Sequence, residues 1–479
     1  MTTAEVQVDV RRWWALAAVA TAQLMIGIDL TIMNIALPSV QRSLHMSDPT
    51  RQWVITLFAL GYGGLLLLGG RMTDLLGRRR ALLIGLTGFA AASALGGAAT
   101  GPAMLLTGRA LQGVAGALLT PAVLATLAAS FPLPAERGKA FGIYGTAMGS
   151  ASGLGVLVGG VLTEYLDWRW CMFVNLGFVA GALLGAIVFL RRDQAPTRPA
   201  LDVPGIVLVS SGLFGLVFGF SHASTGGWLD TTTLGTVAAG AVLLAAFAYR
   251  QTQALSPVLP LRVVLDRNRG AAYLAIFMVG LGQFGMLLFV TYYCQRTLGF
   301  TAIQSGLAFL PWLAAFTTMS QVGSRVIAKR VGPRWTMAPG IAIAGVALII
   351  LSQLSVSSSY AADVLPALVL FGAGVGLTVA AAVNAATSVV EPGHAGAASA
   401  MVNTSQMIGA SLGTALLNSL AVAAVASYLV AHVGQAQAAV QAATHSYDVV
   451  FMISAVIMLS GSVLVGALAR GERPLGQEQ

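Results

Sequence analysis

Two charged side chains lie within long apolar stretches of the sequence, where charges are rare. Asp29 lies in the apolar run 13–36, and Arg109 lies in the run 102–124. A lone carboxylate at the centre of a bilayer costs about 2.5–3.5 kcal/mol on insertion scales, so such a residue is usually functional. A carboxylate there can bind and release a proton, and a nearby cation favours its ionised form. The alternatives are an aspartate held only for structure and an arginine that satisfies carbonyl groups between helices.

The composition shows what kind of protein must position these two residues. Of 479 residues, 57% are hydrophobic and 9% are charged, against roughly a quarter charged in a typical soluble domain. A soluble fold with so few charges could not cover its own surface. The apolar runs reach the ~20 residues that a membrane-spanning helix needs, whereas a barrel would show ~10-residue alternating segments. The sequence therefore predicts an all-α polytopic membrane protein.

The apolar runs predict fourteen transmembrane helices. They lie at 13–36, 53–70, 81–99, 102–124, 140–162, 170–190, 203–221, 233–249, 270–294, 302–327, 335–354, 362–384, 396–428 and 447–469. With the N terminus in the cytoplasm, 21 of the 26 lysines and arginines fall in cytoplasmic loops and 4 in outer loops. Since basic loops stay in the cytoplasm, we expect both termini there. This scattered basic charge also argues against a nucleic-acid partner. On this placement Asp29 is the only acidic side chain deep in a span.

Two loops indicate an internal duplication. Residues 70–79 read GRMTDLLGRR and residues 325–334 read RVIAKRVGPR, with Gly77 and Gly332 in register. Parallel six-helix repeats are one architecture of membrane transporters. We therefore expect two six-helix bundles, in residues 1–198 and 261–479. Two inserted helices in residues 199–260 contain few polar groups, so we expect them to lie outside the bundles and to line no cavity.

Four stretches of the chain resemble motifs of a single family. They are 28–38 in the first span, the loop 70–79, 105–113 in the fourth span and 149–160 in the fifth. In this respect the sequence is similar, over essentially its whole length, to the fourteen-span drug:proton antiporter branch of the major facilitator superfamily. The resemblance implies two six-helix bundles plus two inserted helices and the export of small apolar or aromatic compounds by alternating access. It also implies that Asp29 and Arg109 couple export to protons.

The same resemblance implies a conformational role for two groups of residues. One is a loop that would act as a latch, and the other is a stripe of small residues that lets helices pack closely. These residues are Gly70, Asp74, Gly77 and Arg78 in the loop, and Gly149, Gly153, Gly155 and Gly159 in the fifth span. The family usually has a proline where this chain has Val156, which removes the residue to which a helix kink would be assigned.

Candidates for substrate binding are polar, aromatic and methionine side chains within spans, which suit varied ligands. They are Met25, Met33, Asn34, Trp53, Gln112, Gln283, Tyr292, Tyr293, Trp312, Asn384, Asn403 and Gln406. Helix packing explains each of them equally well. Tyr292 and Tyr293, near an outer end, also suit an aromatic belt at the membrane interface.

The sequence contains no recognised motif for nucleotide hydrolysis, metal binding or intramembrane catalysis. We therefore expect a monomer in a bacterial plasma membrane that is not an enzyme and uses a proton gradient without a metal or cofactor. Its expected partners are a small-molecule substrate, protons and lipid. Two alternatives stay open: an exporter of an endogenous metabolite or lipid with incidental drug efflux, and a membrane channel or membrane-embedded enzyme.

Overall fold

The computed structural model describes residues 11–131, 134–190, 202–254, 266–323, 327, 331–387, 395–432 and 438–469. Its first part consists of eight long helices. They are α1 Arg11–Ser43, α2 Asp48–Leu76, α3 Arg78–Gly97, α4 Pro102–Ser130, α5 Pro134–Tyr165, α6 Trp170–Phe189, α7 Val203–Gly226 and α8 Thr231–Gln253. The apolar runs form helices because a helix satisfies its own backbone hydrogen bonds where no water is present.

The second part of the chain is also helical. It consists of α9 Arg267–Tyr292, α10 Ala302–Ala308, α11 Leu310–Val322, α12 Arg334–Leu351, α13 Leu365–Thr387, α14 Ala395–Ala431 and α15 Ala438–Leu468. Two π-helical turns adjoin this set, Tyr293–Thr297 after α9 and Tyr360–Val364 before α13.

Several helices begin at a capping residue between two apolar runs. The side chains of Ser47, Asp202, Asp230 and Asp266 accept hydrogen bonds from backbone N–H groups in the first turns of α2, α7, α8 and α9. Such caps satisfy donors that have no partner within the helix. The short polar connections therefore determine where several predicted spans begin.

The number of spans can be compared with the sequence prediction for the described residues. Twelve helices there are long and apolar enough to cross a membrane, with α10 and α11 together forming one of them. A thirteenth is α2, if its two arms, which meet at 56°, form one span. The helix α5 has 32 residues, and its described apolar stretch is Gly153–Tyr165. The prediction of an α-helical membrane protein is thus confirmed. Thirteen of the fourteen predicted spans are present if α2 is counted, and the remaining one, which corresponds to α5, stays a prediction.

The helices pack as two groups with an additional hairpin. Helices α1–α6 pack mainly on one another, as do α9–α15, and α7 pairs with α8. Helix α7 packs against α2 of one bundle and α14 of the other, and the expectation that the inserted pair lies outside the bundles and lines no cavity stays a prediction. The ring of Phe218 lies 5.7 Å from that of Trp53. An apolar helix can cover protein as readily as face lipid, so its composition did not reveal this position.

The two loops that indicate a duplication share one backbone feature. Gly77, between α2 and α3, has φ 84°, and Gly332, just before α12, has φ 79°. Residues with a side chain avoid this left-handed region, and glycine enters it freely. The glycines that the sequence aligns thus serve the same turn in each half, which supports the internal duplication.

Candidate functional site

The two intramembrane charges form a buried ion pair. Asp29 on α1 is 0% exposed and Arg109 on α4 is 1% exposed, and Arg109 Nη1 lies 2.5 Å from Asp29 Oδ2. Arg109 Nε also donates to the Val54 carbonyl oxygen at 3.0 Å, and the guanidinium lies over the Phe58 ring, 4.4 Å from its centroid. Neither charge could be buried cheaply without the other.

Three uncharged side chains complete a network around this pair. Gln112 Nε2 donates to Asp29 Oδ1 at 3.1 Å and to Ser93 Oγ at 2.8 Å, and Gln112 Oε1 accepts from Arg109 Nη1 at 2.8 Å. Asn175 Nδ2 donates to Asp29 Oδ1 at 2.7 Å. The network therefore joins α1, α3, α4 and α6. Sequence reasoning missed Ser93 and Asn175, although an asparagine within the apolar helix α6 was a usable signal.

Glycines of α5 hold the segment of α1 that carries Asp29. A Cβ atom on Gly155 would lie 2.6 Å from the Ile28 carbonyl oxygen, and one on Gly159 would lie 2.8 Å from that of Ile32. The two backbones approach this closely because no side chain separates them. Gly153 faces the other bundle, where its Cβ would lie 2.6 Å from Leu313 Cγ. Gly149 also lies in α5.

A cavity between the two bundles adjoins the ion pair. Its volume is about 10 Å³, room for one water molecule. Its lining consists of Leu30, Ile55, Thr56, Phe58, Ala59 and Arg109 from the first bundle and Phe284, Met407, Ala410 and Thr414 from the second. Arg109 thus contacts both the cavity and Asp29, whereas Asp29 is not among the lining residues. A drug-sized ligand needs about 300–1,000 Å³, so the bundles must separate to admit one here.

The predicted substrate-binding residues lie in several places, and none of them lines this cavity. Gln112 belongs to the adjacent network, and Asn34 donates to the Leu30 carbonyl oxygen at 3.4 Å. The others divide by exposure as follows: Met25, Met33, Gln283, Tyr292, Tyr293 and Trp312 are buried, Trp53, Asn403 and Gln406 are partly buried, and Asn384 is exposed. Substrate binding by these residues stays a prediction.

Tyr292 and Tyr293 do not form an interfacial belt, because they are 3% and 0% exposed. The ring of Tyr292 lies between two guanidinium groups, 4.7 Å from that of Arg51 and 4.9 Å from that of Arg296. Arg51 Nη1 also donates to Gln41 Oε1 at 2.6 Å. Because Arg51 and Gln41 belong to the first bundle and Arg296 to the second, these side chains join the bundles at their predicted outer ends.

A second contact joins the outer ends on another side. The backbone N–H of Ile303, on α10, donates to Glu164 Oε2, on α5, at 3.0 Å. The two bundles are therefore in contact at their predicted outer ends through both sets of residues.

The structure describes the glycines and charges of the loop 70–79. Gly77 has the left-handed backbone described above, but the close helix approach occurs at Gly69, whose Cβ would lie 2.6 Å from the Ala117 carbonyl carbon. At Gly70 the nearest atom would be Pro121 Cβ, at 3.9 Å. The exposed Asp74 forms an ion pair of 3.9 Å with the partly buried Arg71. The role of this loop, including Arg78, as a latch stays a prediction.

The acidic residue Asp448 lies farther from the start of its helix than the sequence placement predicts. Because α15 begins at Ala438 rather than near 447, Asp448 lies within the helix and is partly buried. Its Oδ1 is buried without a hydrogen-bond partner. Among the acidic side chains of the described residues, Asp29 is the most buried, and Asp448 is a further acid within a candidate span.

Comparisons with known proteins agree with this architecture. A family model described as Major Facilitator Superfamily matches residues 19–414. A puromycin resistance protein of Streptomyces alboniger is 43% identical over 466 residues, which cover 96% of this chain and 92% of that protein. A cephamycin export protein of Amycolatopsis lactamdurans is 34% identical, covering 96% of this chain and 94% of that protein. A tetracenomycin C resistance and export protein of Streptomyces glaucescens is 32% identical, covering 86% and 76%.

A solved structure has the same fold at low sequence identity. It is a bacterial homologue of the human lysosomal transporter Spinster, in an inward-facing and unoccupied conformation. It is 16% identical, covers 96% of this chain and 98% of that one, and has a TM-score of 0.64. The family match, the three relatives and the two helical bundles lead to one conclusion: the chain is a multi-pass membrane transporter of the Major Facilitator Superfamily.

Proposed function

We propose that this protein exports a small, largely apolar or aromatic antibiotic in exchange for protons. The observation that carries the proposal is the buried Asp29–Arg109 pair, one member of which lines the cavity between the bundles. The resistance and export proteins among its relatives support the substrate class. A bacterial plasma membrane, where a proton gradient is maintained, is the location that suits this activity.

The ion pair can couple protonation of Asp29 to ligand binding in the cavity, because protonation changes the net charge of the pair. With Asp29 ionised, the pair is neutral. A proton bound to a carboxylate oxygen of Asp29 removes the partner charge of Arg109 and leaves a net positive charge in the cavity wall. Charges interact strongly where water is excluded, so the cavity has different affinities for a ligand in the two protonation states. By linkage, ligand and proton then alter each other's binding.

Alternating access would expose this pair to each side of the membrane in turn. The bundles touch at their outer ends through Tyr292 and Glu164, and the cavity has room for one water molecule. Loading and release therefore require the bundles to separate at one end and then at the other. Both bundles and the whole network belong to one chain, so we propose that a monomer suffices and that the proton gradient is its energy source.

The decisive substitution is Asp29→Asn, because asparagine resembles a protonated carboxyl group that cannot release its proton. We expect proton-driven export of puromycin from proteoliposomes to stop and puromycin binding to lose its pH dependence. Removing one partner of a buried ion pair costs about 3–5 kcal/mol, so the variant should also be less stable. The measurements are puromycin transport and binding over a pH series.

Two further variants separate coupling from folding. The double variant Asp29→Asn/Arg109→Gln removes both buried charges of the pair, so it should recover stability without recovering proton-driven export. Asp448→Asn removes another acid within a candidate span and should retain export. If Asp29→Asn still concentrates puromycin by means of the gradient, Asp29 is not the coupling site. Asp448 would then be the next residue to test, followed by Glu164 and Asp167.

The proposed orientation has both termini in the cytoplasm. Single cysteines at positions 225 and 363 should then react with a membrane-impermeant reagent from outside. Cysteines at 195, 255 and 331 should react only from inside. The native Cys171 and Cys294 are buried, so their background should be low. Labelling of position 225 from inside would contradict the crossing of α7 and the proposed orientation.

A further inference from the structure

One polar atom of the Asp29 network has no partner. Asn175 is 0% exposed, and its Nδ2 donates to Asp29 Oδ1 at 2.7 Å. Its own Oδ1 is buried and accepts no hydrogen bond. A buried carbonyl oxygen in this condition is costly and uncommon, so it calls for an explanation. The transport cycle itself supplies one, because the hydrogen-bonding needs of Asp29 change during it.

Asp29 needs different partners in its two protonation states. The ionised carboxylate only accepts, and here it accepts from Arg109, Gln112 and Asn175. A protonated carboxyl group has an O–H that must find an acceptor. Gln112 Oε1 already accepts from Arg109 at 2.8 Å. The Oδ1 of Asn175 is an acceptor not yet in use, and rotation of the amide by half a turn exchanges this oxygen with Nδ2.

We propose that Asn175 is a positioning residue for the transported proton. Its amide donates to Asp29 when the carboxylate is ionised and, after a half-turn, accepts from the O–H when the carboxyl is protonated. The only covalent change is the O–H bond on Asp29, which forms from a solvent proton and breaks when that proton is released. This inference rests on the proposed function, since it takes Asp29 as the proton carrier.

The surroundings of Asp29 make Asn175 the natural choice for this role. In the described part of the chain, the ionisable groups linked to Asp29 are Arg109 on α4 and the Cys171 thiol on α6. Arg109 can only donate. The Cys171 sulfur lies 3.5 Å from Thr163 Oγ1 and 3.9 Å from the Gly159 carbonyl oxygen. Helix α5 faces this part of α1 with Gly155 and Gly159. Because glycine has no side chain, these two residues offer Asp29 no side-chain acceptor.

The variant Asn175→Leu removes both hydrogen bonds with little change in volume. The bond to the ionised carboxylate is charge-assisted and therefore the stronger of the two. Its loss should move the pH midpoint of proton-driven export upward by about one unit. The protonated carboxyl should also lose its acceptor, so its C=O stretching band should move to higher frequency.

Infrared difference spectroscopy of the reconstituted full-length protein over a pH series measures the second effect directly. The band of protonated Asp29 is identified by its absence in Asp29→Asn. Asn175→Val provides a second apolar replacement. Asn418→Leu is the matched control, because it removes a buried amide from α14 that also has an unpaired atom. We expect the band and the midpoint to change in both Asn175 variants and to stay unchanged in Asn418→Leu.

The possible outcomes distinguish this inference from the proposed function. A folded Asn175→Leu protein with an unchanged band and midpoint would overturn the role of Asn175 and leave proton-coupled export standing. If Asp29→Asn retains both the band and proton-driven export, the proposed function fails at Asp29, and this inference fails with it. A band that moves while export keeps its midpoint would show the hydrogen bond without an effect on coupling, which also overturns the proposal.

Discussion

The two bundles meet along two seams that are built differently. At the first seam, α5 contacts α10 and α11 directly. A Cβ atom on Gly160 would lie 2.7 Å from the Ala302 carbonyl oxygen, and one on Gly306 would lie 2.9 Å from that of Val156. At the second seam, α2 faces α14, and the additional helix α7 packs against both.

The second seam depends on side chains rather than on backbone approach. Ile206, Val209 and Leu213 of α7 form a small apolar cluster with Leu68 of α2 and with Met401 and Ile408 of α14. Trp228, just after α7, donates from Nε1 to Ser419 Oγ at 3.1 Å. Side-chain contacts can adjust when helices move, whereas backbone contacts cannot accept added volume. We therefore expect the bundles to rotate about the close backbone contacts of α5, while the side-chain contacts of α7 adjust to the movement.

Among substitutions at the two seams, the largest effect should come from a bulky side chain at the first seam. Gly153→Leu would place a side chain against Leu313, and overpacking costs about 1–3 kcal/mol, so we expect export to fall about tenfold. Puromycin binding should change less, because Gly153 does not line the central cavity. The measurements are puromycin export and puromycin binding in proteoliposomes that contain the native protein or Gly153→Leu.

Two other glycines sharpen this comparison. Gly181 on α6 has open space where a side chain would lie, so Gly181→Leu should be harmless. Gly155→Leu should instead reduce stability, since Gly155 faces α1 within its own bundle. An equal loss of binding and export in Gly153→Leu would mean that Gly153 shapes the substrate site rather than the seam.

We expect a smaller loss of export from substitutions at the second seam, where α7 packs against α2 and α14. Phe218→Ala removes the contact between α7 and Trp53, and we expect export to fall less than in Gly153→Leu. Aromatic pairs contribute about 0.5–1.5 kcal/mol beyond their buried area. A double-mutant cycle with Trp53→Ala, followed by thermal unfolding, should give a coupling energy in that range. Leu234→Ala, at an exposed position of α8, is the control. A coupling energy of zero would show that the Phe218–Trp53 contact does not stabilise the packing of α7 at this seam.

The smallest effect should arise where α7 begins. Asp202 accepts from Arg250 Nε at 2.8 Å and from Gln251 Nε2 at 3.0 Å. Burial alone would raise the pKa of Asp202, but the hydrogen bonds from Arg250, the Gly205 N–H and Gln251 outweigh it and hold the pKa below its ordinary value. A lowered carboxyl pKa stabilises the fold above the unfolded-state pKa, and this gain is lost as the pH falls through the folded-state pKa.

Arg250→Gln should therefore lower the stability at neutral pH by less than about 1 kcal/mol, because Arg250 is partly exposed to solvent. The difference from the native protein should shrink as the pH falls below the ordinary aspartate pKa of about 3.9. Thermal unfolding at several pH values measures it. A difference that persists in acid would show that packing of the arginine stem, rather than the ion pair, stabilises this end of α7.

The sequence alone identifies a residue when the free-energy cost of placing that residue type does not depend on its neighbours in the fold. A charge in an apolar run is expensive in any membrane fold, so Asp29 and Arg109 could be identified without a structure. The same local logic predicts the orientation from basic residues between apolar runs, and that orientation stays a prediction. Gly77 and Gly332 could be aligned because a left-handed turn restricts the residue type at that one position.

Tertiary structure decided which residues meet. Asn175 lies 146 positions from Asp29 along the chain, and the helical period of α6 indicates a face but not a partner. The same limit applies to the glycines of α5, where Gly155 faces α1 and Gly153 faces α11, and to α7, whose apolar surface could have faced lipid. Lipid is as apolar as a leucine side chain, so hydrophobicity does not choose between lipid and protein as a neighbour. That choice is made by shape and hydrogen bonding, which exist only once the helices are packed.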